Sequence, residues 1–207
     1  MVDVLDDLSP GHGLVADDVR PHLRDGFPWH RPDQAHLHLS TPDLWWDDLT
    51  PLLRRTYQSV GVDSAVLDEA VATVRQHYCD PARYQLFPDT IEALVQLGGA
   101  GWELVVLSNH VPELPVILEG VGLAGLINEV FSSATIGFEK PHPEAYRIAA
   151  GRTSPTECFM IGDNPEADVF GAERAGLRAI LVRNLHPEIN KRADNLVGAA
   201  QIVMSSS

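Results

Sequence analysis

The spacing of hydrophobic residues changes near residue 86, and the chain has two parts on this criterion. Between residues 16 and 80, apolar residues recur every three or four positions, the spacing of one helix face. Thr41, Pro42 and Asp43 are typical of a helix start, and the pattern predicts amphipathic helices from there to Gly61 and over residues 63–78. A shorter helix is expected at residues 16–23. This part is predicted to be all-helical.

After residue 86, short β-rich runs alternate with helical stretches, which indicates a parallel, doubly wound α/β sheet. The strands are expected at residues 103–107, 129–131, 158–161 and 179–182. The helices are expected at residues 90–99, 143–150 and 169–175, and a further helix is expected to end at residue 120.

Composition narrows the class of protein without naming a function. The chain has 207 residues, 44% hydrophobic and 21% charged, which are globular values. A formal charge of −14 argues against nucleic acid or an anionic membrane as partner, since both require a basic surface. The two cysteines are distant in sequence and no apolar run has membrane-spanning length, so we expect a cytoplasmic protein. Oligomeric state is not predicted.

Polar residues follow three predicted strands directly, where parallel strands of an open sheet present ligand sites. Ser108 follows the first strand, Lys140 comes after the second, and Asp163 and Asp168 follow the third. A hydroxyl and a lysine suit a phosphate, and two carboxylates suit Mg²⁺. Each has a plain alternative, as a helix cap or a surface charge. Their common position instead predicts a site for a phosphate and Mg²⁺, with local positive charge from Lys140.

The order of these motifs resembles the haloacid dehalogenase-like (HAD) hydrolase superfamily. The chain lacks the GxxxxGK[ST] loop of P-loop enzymes, and a receiver domain would carry its acids first and its lysine last. Residues 107–109 (LSN), 140–141 (KP) and 162–168 (GDNPEAD) match the second, third and fourth family motifs. The resemblance implies a Rossmann-like core at 83–204 and an inserted helical cap at 16–82, with residues 1–15 as a remnant N-terminal helix and loop.

Most members of that family are Mg²⁺-dependent phosphatases that act through an aspartyl-phosphate. The resemblance therefore implies a small phosphorylated molecule as substrate, with Ser108 and Lys140 binding its phosphoryl group. It also implies that Asp163 ligates Mg²⁺ with Asp168 nearby. The metal-independent 2-haloacid dehalogenases are a further branch, and they usually lack the full acidic fourth motif.

Candidate residues for substrate selection lie beside the site and in the helical segment. The resemblance puts Asn109 and His110 at the edge of the site. Trp29 and His30 lie in an irregular loop that is rich in aromatic residues and histidine, and such a loop is suited to line a ligand cleft. The tryptophans at 45–46 point about 100° apart on a helix, so we expect one in the core and the other in a cleft.

The first family motif, DxDx[TV] at the end of an apolar strand, is not found in these 207 residues. Its first aspartate is the family's nucleophile, and its strand is central, between the strands that end at Leu107 and Ile161. We therefore expect a shortened phosphatase that is inactive as given, or a non-catalytic phosphate-binding protein. A gap there would leave two ladders unpaired, so the sheet would have to close up, borrow a strand, or be marginally stable.

Overall fold

The structure is a computed structural model that describes residues 1–151, 153–154 and 157–206. Its first part is a group of helices around one apolar core, which contains Val4, Leu5, Trp45 and Tyr57. The helices are α1 (Val2–Leu8), α2 (Ala16–Val19), α3 (Pro42–Ser59) and α4 (Ser64–Cys79). Helix α1 packs on α4 within this core.

The second part alternates strands and helices, as the hydrophobic pattern predicts. Its elements are α5 (Thr90–Gly99), β1 (Val105–Ser108), α6 (Leu114–Gly120), β2 (Glu129–Ser132), α7 (Ser133–Ile136), α8 (Pro143–Ala150), β3 (Phe159–Gly162), α9 (Gly171–Arg174), β4 (Arg178–Val182), β5 (Arg192–Ala193) and α10 (Leu196–Ser205). A π-helical turn at Pro165–Phe170 leads into α9. The α/β fold class with a helical segment is confirmed.

All pairings between strands are parallel, but the strands form two separate sheets. Strand β1 pairs with β2, aligning Leu107 with Phe131. Strands β3, β4 and β5 form the second sheet, in which Ile161 aligns with Ile180. In the described part of the chain, β1 and β3 are not paired with each other. Strands β1 and β3 therefore each have one edge without a strand partner among the described residues.

Helices cover both faces and hold the two sheets together. On one face, Leu107 of β1 shares an apolar cluster with Tyr146 of α8 and Leu181 of β4. On the other face, α5 and α10 pack on each other and on β4, through Leu97 and Ile180 among others. The burial of these apolar surfaces stabilises both half-sheets without a strand pairing between them.

One expectation needs correction, and two elements were not predicted. Both tryptophans of α3 belong to the core, Trp45 at 1% and Trp46 at 7% exposure, and both also line a cavity, so they do not divide into one core and one cleft residue. A loop from the α/β part contacts Trp46 from outside. In that loop Glu113 accepts a hydrogen bond from the Trp46 indole at 3.1 Å. Helix α10 and the short β5 were not predicted.

In the described residues, no helix is both long and apolar enough to cross a membrane.

Candidate functional site

The strand-end cluster, defined here as Ser108, Asn109, Lys140, Asp163 and Asp168, lies where β1 and β3 end and where the loop after α7 passes between them. Ser108 is the last residue of β1 and is half-buried. Its hydroxyl makes no hydrogen bond to another described residue. This hydroxyl can therefore meet a ligand.

Asn109 fastens the loop of Lys140 to the end of β1. Its side-chain amide donates to the Lys140 carbonyl oxygen at 2.8 Å, and its side-chain oxygen accepts from the Lys140 N–H at 2.7 Å. This reciprocal pair fixes the lysine backbone. Where the sequence predicted a substrate contact, the structure gives Asn109 a positioning contact with Lys140.

Lys140 and Asp168 form a buried ion pair. The Lys140 Nζ donates to Asp168 Oδ1 at 2.6 Å, and the two side chains are 9% and 6% exposed. The second carboxylate oxygen, Asp168 Oδ2, accepts from the Asn164 N–H at 2.9 Å. Neither residue is therefore the solvated surface charge of the plain alternative. Asp168 offsets the positive charge of Lys140 and takes one of its three N–H donors.

Gly162 permits the close approach of Asp168 to the end of β3. A Cβ atom at this position would lie 2.2 Å from Asp168 Oδ2 and 2.3 Å from its Cγ. Because no pair of such atoms packs that closely, any larger residue would displace the carboxylate. The glycine is required by the ion pair and not by an unusual backbone angle.

Asp163 is exposed, and its carboxylate bonds to no other described residue. Its backbone oxygen accepts from the Asn184 side chain at 2.7 Å. The residue that caps the following helical turn is Asn164, whose side-chain oxygen accepts from Glu166 and Ala167 N–H groups at 3.0 and 2.9 Å. The helix-cap alternative for Asp163 is wrong, and its carboxylate is available to a cation.

Glu139 is a charged residue that the sequence reasoning did not identify. It is 1% exposed, and its Oε2 has no hydrogen-bond partner in the described structure. Burial raises the pKa of Glu139 to about 7, against smaller lowering effects of a hydrogen bond with Ser133 and of the Lys140 charge. In sequence only its place next to Lys140 marks it, and a lone glutamate is normally a surface residue.

Two serines hold the loop that leaves β1. The Ser132 hydroxyl lies within hydrogen-bond distance of the His110 and Val111 carbonyl oxygens, at 2.6 and 2.8 Å. The Ser133 hydroxyl oxygen accepts from the His110 N–H at 3.1 Å. Glu139 therefore reaches the start of this loop through Ser133.

The other predicted substrate residues lie towards the helical part. The His110 ring lies 5.5 Å from the Tyr78 ring between centroids, and burial lowers the pKa of this histidine. Trp29 stacks on Phe27 at 4.4 Å, and His30 Nδ1 accepts from the Phe27 N–H at 3.3 Å. No hydrogen bond or ring contact in the described residues joins Trp29 or His30 to the strand-end cluster.

The described residues contain no group of three or more histidine, cysteine, aspartate or glutamate side chains that would hold a metal ion alone. Mg²⁺ does not require such a group, since it is commonly bound by one or two carboxylates, substrate phosphate and water. Asp163 fits this pattern because its carboxylate is free. Asp168 fits it less well because both of its oxygens already accept hydrogen bonds.

Comparison with known proteins gives one family. The family model of haloacid dehalogenase-like hydrolases matches residues 16–176. Among curated relatives, the phosphoserine phosphatase of Thermus thermophilus is 42% identical over 178 residues, covering 78% of this chain and 70% of the relative. The glyceraldehyde 3-phosphate phosphatase of Methanopyrus kandleri is 34% identical over 135 residues, covering 64% of this chain and 56% of the relative.

Solved structures with this fold match nearly the whole chain. The L-2-haloacid dehalogenase RSc1362 superposes with a TM-score of 0.72 at 21% identity, over 98% of this chain and 90% of that chain. A HAD hydrolase of Bacillus subtilis with bound magnesium also gives a TM-score of 0.72, at 18% identity, over 98% and 88%. At these identities the likeness concerns the fold.

Proposed function

The chain belongs to the haloacid dehalogenase-like hydrolases, and on that premise we propose that its strand-end cluster binds the phosphate group of a small phosphate ester together with Mg²⁺. The observation that carries the proposal is that some side chains of the cluster are held by other residues while others are free to bind a ligand. Lys140 is held by Asn109 and Asp168, whereas the side chains of Ser108 and Asp163 have no partner among described residues. The two relatives described above are named as phosphatases.

Ser108 and Lys140 are the proposed phosphate ligands. The Ser108 hydroxyl donates to one phosphoryl oxygen. The Lys140 ammonium has three N–H donors, of which Asp168 takes one. The remaining donors are directed to the anion by a side chain whose position is already fixed, so little side-chain entropy is lost on binding.

Asp163 is the proposed protein ligand of Mg²⁺, and Asp168 is the residue that positions Lys140. The charges of Lys140, Asp163 and Asp168 together leave the cluster with one net negative charge. A phosphate dianion would be repelled there unless a divalent cation accompanied it. When bound, Mg²⁺ would neutralise phosphoryl charge and act as a Lewis acid on its oxygens.

Turnover through an aspartyl-phosphate requires a carboxylate nucleophile, and we propose that none of the 207 residues supplies it. Strands β1 and β3 are not paired with each other in the described part of the chain, and each belongs to a parallel ladder, which supports a further parallel strand between them in a catalytically active protein. An apolar strand that ends in the DxDx[TV] motif would pair with both free ladders and bring its aspartate to the cluster. On its own the chain is therefore expected to bind phosphate esters without hydrolysing them.

The experiment is calorimetric titration with inorganic phosphate and with O-phospho-L-serine, in Mg²⁺ and in EDTA. Binding should be weaker by tenfold or more in EDTA, and Ser108→Ala and Asp163→Asn should each reduce it about tenfold. Glu166→Gln, in the same turn but in an exposed ion pair, is the control and should bind as the unchanged chain does. Equal binding by all three variants would refute the assignment.

Hydrolysis is measured separately, as phosphate release with Mg²⁺. We expect none from the 207 residues and activity after fusion of an apolar DxDx[TV] strand ahead of residue 1. Phosphate release by the unfused chain that Asp163→Asn abolishes would contradict the need for that strand. Halide release from 2-haloacids in the absence of metal would favour the dehalogenase alternative.

A further inference from the structure

A cavity of about 600 Å³ lies between the helical part and the loop that leaves β1. This volume is in the range of pockets that enclose whole small molecules. Aliphatic and aromatic side chains together form most of its wall. The rings that line it are those of Phe27, Trp29, Trp45, Trp46, Tyr78 and Tyr84.

The cavity lies near the proposed phosphate site along the chain, although no residue of the strand-end cluster lines it. Val111, which lines it, is three residues beyond Ser108, so the Cα atoms of these residues lie within about 11 Å of each other. Between them, the His110 ring lies 5.5 Å from the Tyr78 ring and 6.3 Å from the Tyr84 ring. A ligand with its phosphate at Ser108 would have to span at most about 11 Å to reach the cavity wall at Val111.

The aromatic wall is ordered by its own ring contacts. Trp29 stacks on Phe27 at 4.4 Å with an interplanar angle of 8°, and it lies 6.1 Å from Trp45. Trp45 in turn meets Trp46 edge to face at 5.0 Å. Such a row of rings favours a flat apolar or aromatic group over a small polar one. Trp45 is 1% exposed, and its indole N–H has no partner in the described structure.

The wall offers no free carboxylate to the ammonium group of an amino-acid substrate, although Arg24, which also lines the cavity, forms no ion pair with another described residue. Among the described residues that line the cavity, Asp3 is the one acidic side chain, and it already pairs with Arg83 at 3.5 Å. An ammonium group on the ligand would therefore find no free carboxylate. Arg20, also in the wall, is paired with Asp17 at 2.8 Å.

We infer that the cavity holds the alcohol part of the substrate, and that this alcohol bears an aromatic ring or an apolar group of similar size. The inference rests on the proposed phosphate site at Ser108 and Lys140. It differs from what the name of the Thermus thermophilus relative would suggest, because serine has neither the ring nor the bulk to contact this wall.

The test measures binding rather than turnover, so it does not depend on the nucleophile. The chain is titrated calorimetrically in Mg²⁺ with 1-naphthyl phosphate, O-phospho-L-serine, inorganic phosphate and 1-naphthol. We expect 1-naphthyl phosphate to bind at least about tenfold more tightly than O-phospho-L-serine, the gain that one well-packed aromatic contact provides. Equal affinities for the two esters would overturn the inference and leave the phosphate site intact.

Matched variants locate the effect. Trp29→Ala should remove most of the preference for 1-naphthyl phosphate and leave inorganic phosphate unaffected. The control is Trp102→Ala, which removes another half-buried tryptophan, one that packs on Phe159. It should change neither the preference for 1-naphthyl phosphate nor the binding of inorganic phosphate. If Trp29→Ala does not fold, Ala16→Phe is used, since Ala16 is exposed on the cavity wall and a ring there blocks the space.

The two proposals fail in different ways. Binding of 1-naphthol that requires Trp29, without any binding of inorganic phosphate, would support the cavity and refute the phosphate site. The opposite outcome is binding of inorganic phosphate, with no tighter binding of 1-naphthyl phosphate and no binding of 1-naphthol. It would support the phosphate site and refute the cavity.

Discussion

Asp168→Asn is the most informative single substitution, because it removes one charge of the buried pair and almost no volume. Lys140 would keep its ammonium in a site that is 9% exposed, with an amide in place of the carboxylate at 2.6 Å. Breaking a buried ion pair by removing one partner costs about 3–5 kcal/mol, since a charge is left without compensation. Asparagine retains one oxygen for the Asn164 N–H, so we expect a loss near the lower end, about 3 kcal/mol.

The matched control is Glu166→Gln, which breaks an ion pair of equal length in the same turn. Glu166 Oε1 lies 2.6 Å from the Arg174 guanidinium, but these side chains are 61% and 57% exposed. Exposed pairs contribute at most about 1 kcal/mol because water and salt screen them. Burial is therefore the main difference between the two substitutions.

The assay is urea unfolding, with the free energy of unfolding extrapolated to water. The double variant Lys140→Met/Asp168→Asn removes both charges of the pair. It tests whether the loss of stability in Asp168→Asn comes from an uncompensated buried charge. It should be more stable than Asp168→Asn alone, because no buried charge remains. Similar losses from Asp168→Asn and Glu166→Gln, or a double variant that is less stable than the single one, would refute the reasoning.

Two further substitutions test the surroundings of the pair. Burial raises the pKa of Glu139 to about 7 in the folded chain, from its ordinary value of 4.5 when unfolded. The free energy of unfolding should therefore fall by up to about 3 kcal/mol as pH rises between these values. Glu139→Gln should flatten that slope in urea unfolding measured from pH 4 to 8, and an unchanged slope would contradict the burial argument. Gly162→Ala should cost at least as much as Asp168→Asn, since its methyl group displaces the Asp168 carboxylate, whereas Gly99→Ala, with nothing within 4 Å, should have little effect in the same assay.

Periodicity predicted most elements of the α/β part because their ends carry strong local signals. The helix at 143–150 was predicted with the bounds it has, since proline is favoured in the first turn of a helix. Helix α10 was missed because residues 196–203 are apolar at nearly every position. Without a polar face, such a segment has no amphipathic pattern to recognise.

The contacts within the site were not predictable from the sequence. Lys140 and Asp168 are 28 residues apart, and Asn109 is 31 residues from Lys140. Motif order placed these residues at one edge of the sheet, but their pairing depends on how the half-sheets pack. The burial of Trp46 was not predictable for a similar reason. Helical spacing gives the direction of a side chain but does not show which other segment packs on it.

The polar contacts of the cluster also hold the protein together where its sheet is interrupted. Asn109 at the end of β1 binds the backbone of Lys140, whose ammonium binds Asp168 beyond the end of β3. This chain of contacts joins the two half-sheets at their carboxyl ends, next to the unpaired ladders. Substitution of any of these three residues would therefore loosen the fold as well as the site. Ser108 and Asp163, whose side chains bind no other described residue, are the positions where a loss of ligand binding can be attributed to the ligand contact itself.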